Sequence, residues 1–268
     1  MCVVILIDQS SSMSGEWGEE GTTKAQKVSQ TVNRILNETI LRAIVGAEIR
    51  DFCYFSLIGY GPGSEASPAF DGALAGKWSV PVSDLHANGE FVPVNILVDG
   101  ESYELMEKSW VSPVMDGNTP MAEAFGIAEE IVTVWVRERP GTFPPIVINV
   151  TDGEWNTTDP APVIERIKQL RTEDGECLVF NVHISNEGGD QTLIFPCRED
   201  LPDDEDFDYA RSLFELASEL PVTMVQTART LGMPVELGAR AFCFNVNNPE
   251  DLLKVLEIGS RGSGVSER

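Results

Sequence analysis

The stretch CVVILIDQSSS, residues 2–12, sets a serine-rich polar segment directly after an apolar one. Its first part, residues 2–7, is an uninterrupted apolar run of strand-forming residue types, which predicts a strand buried on both faces. Asp8 ends that run, and three serines follow from Ser10 onward. The stretch therefore predicts a central parallel strand that delivers Asp8 to one edge of a sheet.

Apolar runs alternate with helical patterns along the rest of the chain. Further buried strands are predicted at 52–61, 144–153, 177–184 and 241–246. Three- and four-residue apolar spacing, or proline in the first turn, predicts helices at 22–47, 120–138, 159–171, 207–219, 221–231 and 248–259. This alternation indicates an α/β fold, a doubly wound and mostly parallel central sheet with helices on both faces.

The region between the second strand and the helix at 120–138 is the least regular. Short segments interrupted by proline, WSVPV at 78–82 and EFVPVNILV at 90–98, predict an edge strand or a hairpin there. We expect one domain over residues 1–268, with insertions at about 62–115 and 185–235.

The charge balance argues against nucleic-acid binding. Acidic residues number 43 against 19 basic ones, which gives a net charge of −24, whereas a protein that binds a phosphate backbone needs a basic face. The densest acidic run, residues 199–208, is either a solvated loop or a docking surface for a basic partner.

The five cysteines and the apolar runs bear on location. The cysteines form no CxxC pair and no cluster with either histidine, so we interpret them as core residues. A set without framework spacing predicts a reducing compartment and hence a cytoplasmic protein. No apolar run approaches the roughly 20 residues of a membrane span, so we expect no membrane contact.

Three polar segments come at the carboxyl ends of strands or at a helix start, where a sheet of this type binds its ligands. They are residues 8–12, residues 115–121 and residues 150–153. Together they offer two carboxylates and up to three hydroxyls, with no thiol and no imidazole. Such oxygen ligands suit a hard cation, Mg²⁺ ahead of Mn²⁺ or Ca²⁺. The alternating side chains of Asp8, Ser10 and Ser12 can converge on one side of a partly extended loop.

Several of these residues also have a purely structural explanation. Asp8 can cap a turn, and Asp152 can begin one with the glycine that follows it. Thr119 is expected to be the N-cap of the helix that Pro120 opens, whether or not it binds a metal. Trp17, in the polar segment EWGEEGTT at 16–23, is either a contact residue or a packed anchor.

D-x-S-x-S after the first strand, Thr-Pro at a helix start and T-D-G after a central strand together resemble the von Willebrand factor A domain family. The resemblance implies a Rossmann-like fold and a metal-ion-dependent adhesion site, with ligands at Asp8, Ser10, Ser12, Thr119 and Asp152. Within that family the chain looks most like intracellular bacterial proteins of the tellurium-resistance type. This branch implies a signalling or stress-response complex with a kinase, a phosphatase or an AAA+ ATPase. The 16–23 segment departs from the pattern and puts access to the metal in question.

These residues suggest a non-catalytic protein–protein interaction module. Neutral hydroxyl ligands leave a bound cation electrophilic, so the cation can bridge to a glutamate or aspartate of a protein partner. Because this chain is so acidic, we expect that partner to have a basic surface. Two alternatives stay open: a metal-dependent phosphatase or phosphotransferase, and a structural subunit whose metal site is empty. A phosphatase or phosphotransferase of this kind needs a second aspartate two residues after Asp8, and Ser10 occupies that position. The sequence also contains neither a phosphate-binding loop nor a G-x-S-x-G motif. No catalytic residue is predicted, and the oligomeric state is left open.

Overall fold

The computed structural model describes residues 1–17, 21–98, 101–155, 158–185, 192–202 and 208–261. Its strands are β1 (Cys2–Asp8), β2 (Ile44–Val45), β3 (Glu48–Ile49), β4 (Tyr54–Tyr60), β5 (Ala66–Pro68), β6 (Val80–Pro81), β7 (Glu90–Val98), β8 (Glu101–Ser109), β9 (Ile146–Thr151), β10 (Arg171–Thr172), β11 (Gly175–Glu176), β12 (Leu178–Ile184), β13 (Leu193–Ile194) and β14 (Phe242–Val246). Its helices are α1 (Lys24–Ala43), α2 (Val82–Asn88), α3 (Met121–Glu138), α4 (Ala161–Gln169), α5 (Asp208–Leu216), α6 (Val222–Thr230) and α7 (Pro249–Arg261). Half of the acidic run at 199–208 lies outside the described residues.

An eight-stranded sheet forms the centre of the structure, in the order β13–β14–β12–β9–β1–β4–β5 with β6 paired to β4. The pairs β1–β4, β1–β9, β9–β12 and β12–β14 are parallel, and β5, β6 and β13 join antiparallel. β4 pairs with one side of β1, and β9, which comes later in the sequence, pairs with the other side. The carboxyl ends of β1 and β9 therefore flank the crevice in which such sheets bind ligands.

β1 is buried on both faces, as its apolar sequence predicts. Its odd-numbered residues from Val3 to Ile7 belong to a hydrophobic cluster with α1, α6 and α7. Its even-numbered residues from Cys2 to Leu6 belong to a second cluster with α3, α4 and α5. Helices thus flank a mainly parallel sheet on both sides, which confirms the predicted α/β fold. In the described ranges, none of the helices combines the length and apolar character needed to cross a membrane.

The start of α1 is fixed by a capping box. Thr23 is the N-cap, and its hydroxyl accepts from Gln26 N at 3.2 Å while Gln26 Oε1 accepts from Thr23 N at 2.8 Å. The helix accordingly begins at Lys24, two residues later than the apolar spacing predicts. This pairing satisfies two backbone groups that a helix start otherwise leaves without partners.

The start of α3 differs from the prediction by one residue. Pro120 has a ψ of 56°, outside the helical range, and is itself the N-cap, so the first helical residue is Met121. Thr119 lies one residue outside, where its carbonyl accepts from Met121 N at 2.8 Å. The predicted N-cap role of Thr119 is therefore wrong.

The region 62–115 differs most from the sequence prediction. The strand expected at 78–82 shrinks to β6, because helix α2 already begins at Val82. The strand expected at 90–98 forms β7, but its partner β8 is not evident from the mostly polar sequence ESYELMEKS. The two strands pair along their whole length as an antiparallel hairpin. Trp110, just after β8, is buried and donates from Nε1 to Leu85 O at 2.8 Å, which fixes the base of the hairpin against α2.

Candidate metal site

Asp8 is the last residue of β1, and its carboxyl group is buried. Its Oδ1 accepts from Ser10 N at 2.9 Å, and its Oδ2 accepts from the Thr151 hydroxyl at 2.7 Å. Both of these donors are neutral. Burial, and to a smaller extent the Asp152 carboxylate, raise the pKa of Asp8 to about 6 against the lowering effect of the hydrogen bonds. Asp8 is thus a buried carboxylate whose ionised form would be stabilised by a cation.

A line of oxygen atoms connects the loop after β1 to the loop after β9. Ser10 Oγ and Ser12 Oγ are 3.0 Å apart, and Ser12 Oγ donates to Asp152 Oδ1 at 2.7 Å. Ser12 and Asp152 are 140 residues apart in sequence and meet because β1 and β9 are parallel neighbours. The structure therefore gathers Asp8, Ser10, Ser12 and Asp152 at one edge of the sheet.

Thr119 follows a third loop that is bonded to the segment after Asp8. Asp116 N donates to Gln9 O at 2.7 Å. Gly117 O accepts from both the backbone N and the hydroxyl of Ser11, each at 3.2 Å. Thr119 lies two residues further on and is buried. The bonds that join the two loops are thus made by Asp116 and Gly117, three and two residues before Thr119.

Two glycines let the loop after β4 approach both of these loops closely. Gly117 has a φ of 80°, and a Cβ there would lie 2.1 Å from Gly61 O. A Cβ on Gly61 would in turn lie 2.6 Å from the carbonyl of Gln9. Since real Cβ atoms do not approach backbone so closely, a side chain at either position would push the loop after β4 and its neighbours apart.

Lys24 is a site residue that the sequence interpretation missed. Its Nζ donates to Asp152 Oδ2 at 2.9 Å, with the two side chains only 11% and 0% exposed. Lys24 is the first residue of α1, and its backbone N donates to Gly15 O at 2.8 Å. The signal that could have found it is position, because the helix that follows the Asp8 loop must begin near the same edge of the sheet.

Further side chains fix the loop after β9. The Thr151 hydroxyl, besides its bond to Asp8, lies 2.9 Å from Gly153 O and accepts from Gly153 N at 3.2 Å. Tyr209 donates its hydroxyl to the same carbonyl oxygen. His183 lies nearby, and burial lowers its pKa to about 4, so at neutral pH it adds no charge.

The donor set suits a small, hard cation. In an octahedral site with bonds of about 2.1 Å, neighbouring ligand oxygens are about 3 Å apart. The two oxygen–oxygen distances along the Ser10–Ser12–Asp152 line, 3.0 and 2.7 Å, are close to that spacing. Within the described part of the chain, no three His, Cys, Asp or Glu side chains come together. A metal here would therefore depend on hydroxyl oxygens and water in addition to two carboxylates, which favours Mg²⁺.

Trp17 is a packed anchor. Its side chain is buried in the cluster that includes one face of α1, and its backbone N donates to Thr22 O at 2.8 Å. Glu16 and Thr23 form an antiparallel bridge, so the two ends of the 16–23 segment lie side by side. Residues 18–20 between them lie outside the described residues.

A cation held by Asp8 would bind more weakly as the pH falls below about 6. Because the pKa of Asp8 is raised to about 6, a proton competes with the cation at pH values where an ordinary aspartate is ionised. The affinity should be constant above about pH 7 and fall roughly ten-fold per pH unit below about 6. Mn²⁺ titrations at about pH 5, 6, 7 and 8 measure this profile. An affinity that stays level down to about pH 5 would contradict the role given to Asp8.

Comparison with known proteins shows no family for this chain. No protein-family model and no curated protein matches it. The pilus adhesin RrgA from Streptococcus pneumoniae aligns at 15% identity and a TM-score of 0.29, over 57% of this chain and 20% of that chain. The adhesive tip pilin GBS104 from Group B Streptococcus agalactiae aligns at 14% identity and a TM-score of 0.28, over 57% and 45%. The alignments span less than half of either longer chain, and a likeness of this degree says nothing about function.

The resemblance to the von Willebrand factor A family, and to its tellurium-resistance branch, is therefore wrong as an identification. No family model or curated relative supports it, and the two solved structures reported above are streptococcal pilus adhesins. Three short motifs describe a local arrangement of oxygen atoms, whereas a family is defined over the whole chain. The positions of Asp8, Ser12 and Asp152 are observations of this structure and do not depend on that identification.

Proposed function

We propose that the chain is a non-catalytic binding module that holds a divalent cation and uses it to bind an acidic residue of a protein partner. The ligands would be Asp8, Ser10, Ser12, Thr119 and Asp152, and the cation Mg²⁺, with Mn²⁺ or Ca²⁺ as the other candidates. The stress-response setting implied by the family resemblance is not part of this proposal.

The observation that carries the proposal is the hydrogen bond from Ser12 to Asp152 at 2.7 Å, continued to Ser10 at 3.0 Å. Oxygen atoms from two distant segments are already at ligand-to-ligand spacing, beside a buried carboxylate with neutral donors. Two carboxylates neutralise a divalent cation, and the hydroxyls add no further charge. A water position on such a cation can be exchanged for the carboxylate of another molecule.

The charge of the chain restricts the partner. At a net charge of −24, this protein repels an acidic surface once the two come within about 8–10 Å, the screening length at physiological salt. A partner that presents one acidic residue amid basic ones avoids that repulsion and still supplies the bridging ligand. We therefore expect a projecting glutamate or aspartate with lysines or arginines around it.

A displayed peptide library tests this proposal. The peptides carry a central Glu or Asp flanked by Lys and Arg, and the matched set carries Gln or Asn instead. Selection on the immobilised protein in Mg²⁺ should enrich the acidic set, while selection in EDTA, or on an Asp8→Asn variant, should not. Equal enrichment of the Gln set, or enrichment that survives EDTA, would show that no bound metal mediates the contact.

The two alternatives predict other results. A metal-dependent phosphatase would release phosphate from an aryl phosphate in Mg²⁺ and lose that activity with Asp8→Asn. A structural subunit with an empty site would show neither peptide selection nor cation binding in its wild-type form. The binding proposal predicts selection and cation binding without phosphate release.

A further inference from the structure

We infer that Lys24 is a tethered cation that competes with the divalent ion for Asp152, so that the metal binds only as the Lys24 ammonium leaves. This inference deepens the proposed function and rests on it. It assigns a regulating role to a residue that would not itself be a ligand.

The contacts of Asp152 show the competition. Its Oδ2 accepts from Lys24 Nζ at 2.9 Å and its Oδ1 accepts from Ser12 Oγ at 2.7 Å. The carboxylate is fully buried and the Lys24 side chain is nearly so. Lys24 therefore supplies the positive charge that a buried carboxylate needs when no metal is present.

The charge of the site disfavours simultaneous binding of the divalent ion and the Lys24 ammonium. A divalent ion beside Ser12 would face the ionised groups of Asp8 and Asp152, and the three together would be neutral. With Lys24 still on Asp152, the same small region would carry one excess positive charge. Since the side chains of Asp8, Asp152 and Lys24 are buried, the repulsion is screened only weakly by solvent and salt, and the lysine weakens metal binding.

The backbone around Lys24 allows the ammonium to leave without unfolding the helix. The capping box between Thr23 and Gln26 holds the helix start, and Lys24 N is bonded to Gly15 O. Both of these contacts are made by the helix start and not by the ammonium. Release of Asp152 therefore requires only a change of the Lys24 side-chain rotamer.

A binding experiment compares the wild type with Lys24→Met and with Lys27→Met, a matched control on the same helix with the same change in charge. The free Mn²⁺ signal in electron paramagnetic resonance reports the affinity. Lys24→Met should bind Mn²⁺ about ten-fold or more tightly than the wild type, a coupling of ordinary size, and Lys27→Met should match the wild type. Lys24→Arg, which keeps the positive charge, should not gain affinity.

A second measurement uses the wild type alone, in case Lys24→Met does not fold. Amine acetylation, mapped by mass spectrometry, should label Lys24 slowly in EDTA and several-fold faster at saturating Mn²⁺, relative to Lys27. Unchanged labelling at saturation would overturn the inference.

The binding outcomes separate the inference from the proposed function. If the wild type binds Mn²⁺ and Lys24→Met binds it equally or more weakly, Lys24 does not compete and the metal site stands. If neither protein binds Mn²⁺ at any concentration, the metal site fails and the inference fails with it.

Discussion

Replacing Asp8 by asparagine is expected to lower the affinity for Mg²⁺ and Mn²⁺ by roughly 100-fold or more, since loss of an outer-shell support alone costs 10–100-fold. The carboxylate at the end of β1 supplies one of the two negative charges of the site, and an amide supplies none. Isothermal titration of the two proteins with Mn²⁺ measures the loss. Asp116→Asn is the matched control, because Asp116 is exposed in a neighbouring loop and the change in net charge is the same.

The same substitution is expected to stabilise the metal-free protein at neutral pH. The raised pKa means that the folded state holds the Asp8 proton more tightly than the unfolded chain, so ionisation of Asp8 destabilises the fold. The difference between 3.8 and about 6 corresponds to about 3 kcal/mol at pH values above about 6. The Thr151 hydroxyl, already 2.9 Å from Gly153 O, can donate there and accept from the new amide.

Urea unfolding in EDTA at several pH values measures this effect. Asp8→Asn should be more stable than the wild type at about pH 7–8, and the difference should shrink as the pH falls through about 6 and vanish below about 4. A variant that is less stable than the wild type at about pH 7 would show that Asp8 is not an unfavourable buried charge. Unaltered Mn²⁺ affinity would remove Asp8 from the site.

Gly117→Ala is expected to displace the loop that leads to Thr119. The Cβ would lie 2.1 Å from Gly61 O, so Gly117 would have to move away from that carbonyl, which would strain the hydrogen bonds from Asp116 to Gln9 and from Ser11 to Gly117. Mn²⁺ affinity should fall roughly ten-fold or more, as it does when groups that orient ligands are lost. The free energy of unfolding should fall as well, by more than the about 1–2 kcal/mol that a positive φ costs alanine.

Gly63→Ala is the control that distinguishes backbone strain from the steric contact between the loops. Gly63 also has a positive φ, 67°, but a Cβ there meets nothing within 4 Å. This control should lose only about 1–2 kcal/mol of stability and keep its Mn²⁺ affinity. Equal effects of the two substitutions would show that backbone strain, and not the contact between the loops, accounts for the loss.

The sequence predicts the sheet and the meeting of Asp8 with Asp152 for the same reason. An apolar run buried on both faces has to be a central strand, and parallel neighbours end at the same edge, so the residues after β1 and β9 are adjacent. Ser10 and Ser12 closely follow Asp8 in the sequence, so their hydroxyls are expected at the same edge. The position of these four residues can therefore be predicted without knowing the rest of the fold.

Other features depend on contacts that no local pattern encodes. Lys24 turns back to Asp152, across 128 residues of sequence, only because the capping box starts α1 there. Pro120 replaces Thr119 as the N-cap through a single backbone angle. The polar strand β8 exists because β7 pairs with it, and Trp17 is anchored by a cluster formed from several elements.

Crystals soaked in Mn²⁺ and measured at the manganese absorption edge test the central claim most directly. The proposal predicts one anomalous peak at the carboxyl edge of β1 and β9, about 2.2 Å from oxygens of Asp8, Ser12 and Asp152. The peak should be absent from crystals of Asp8→Asn treated in the same way. A wild-type crystal with no peak at this edge, or with manganese bound only elsewhere, would contradict the proposal.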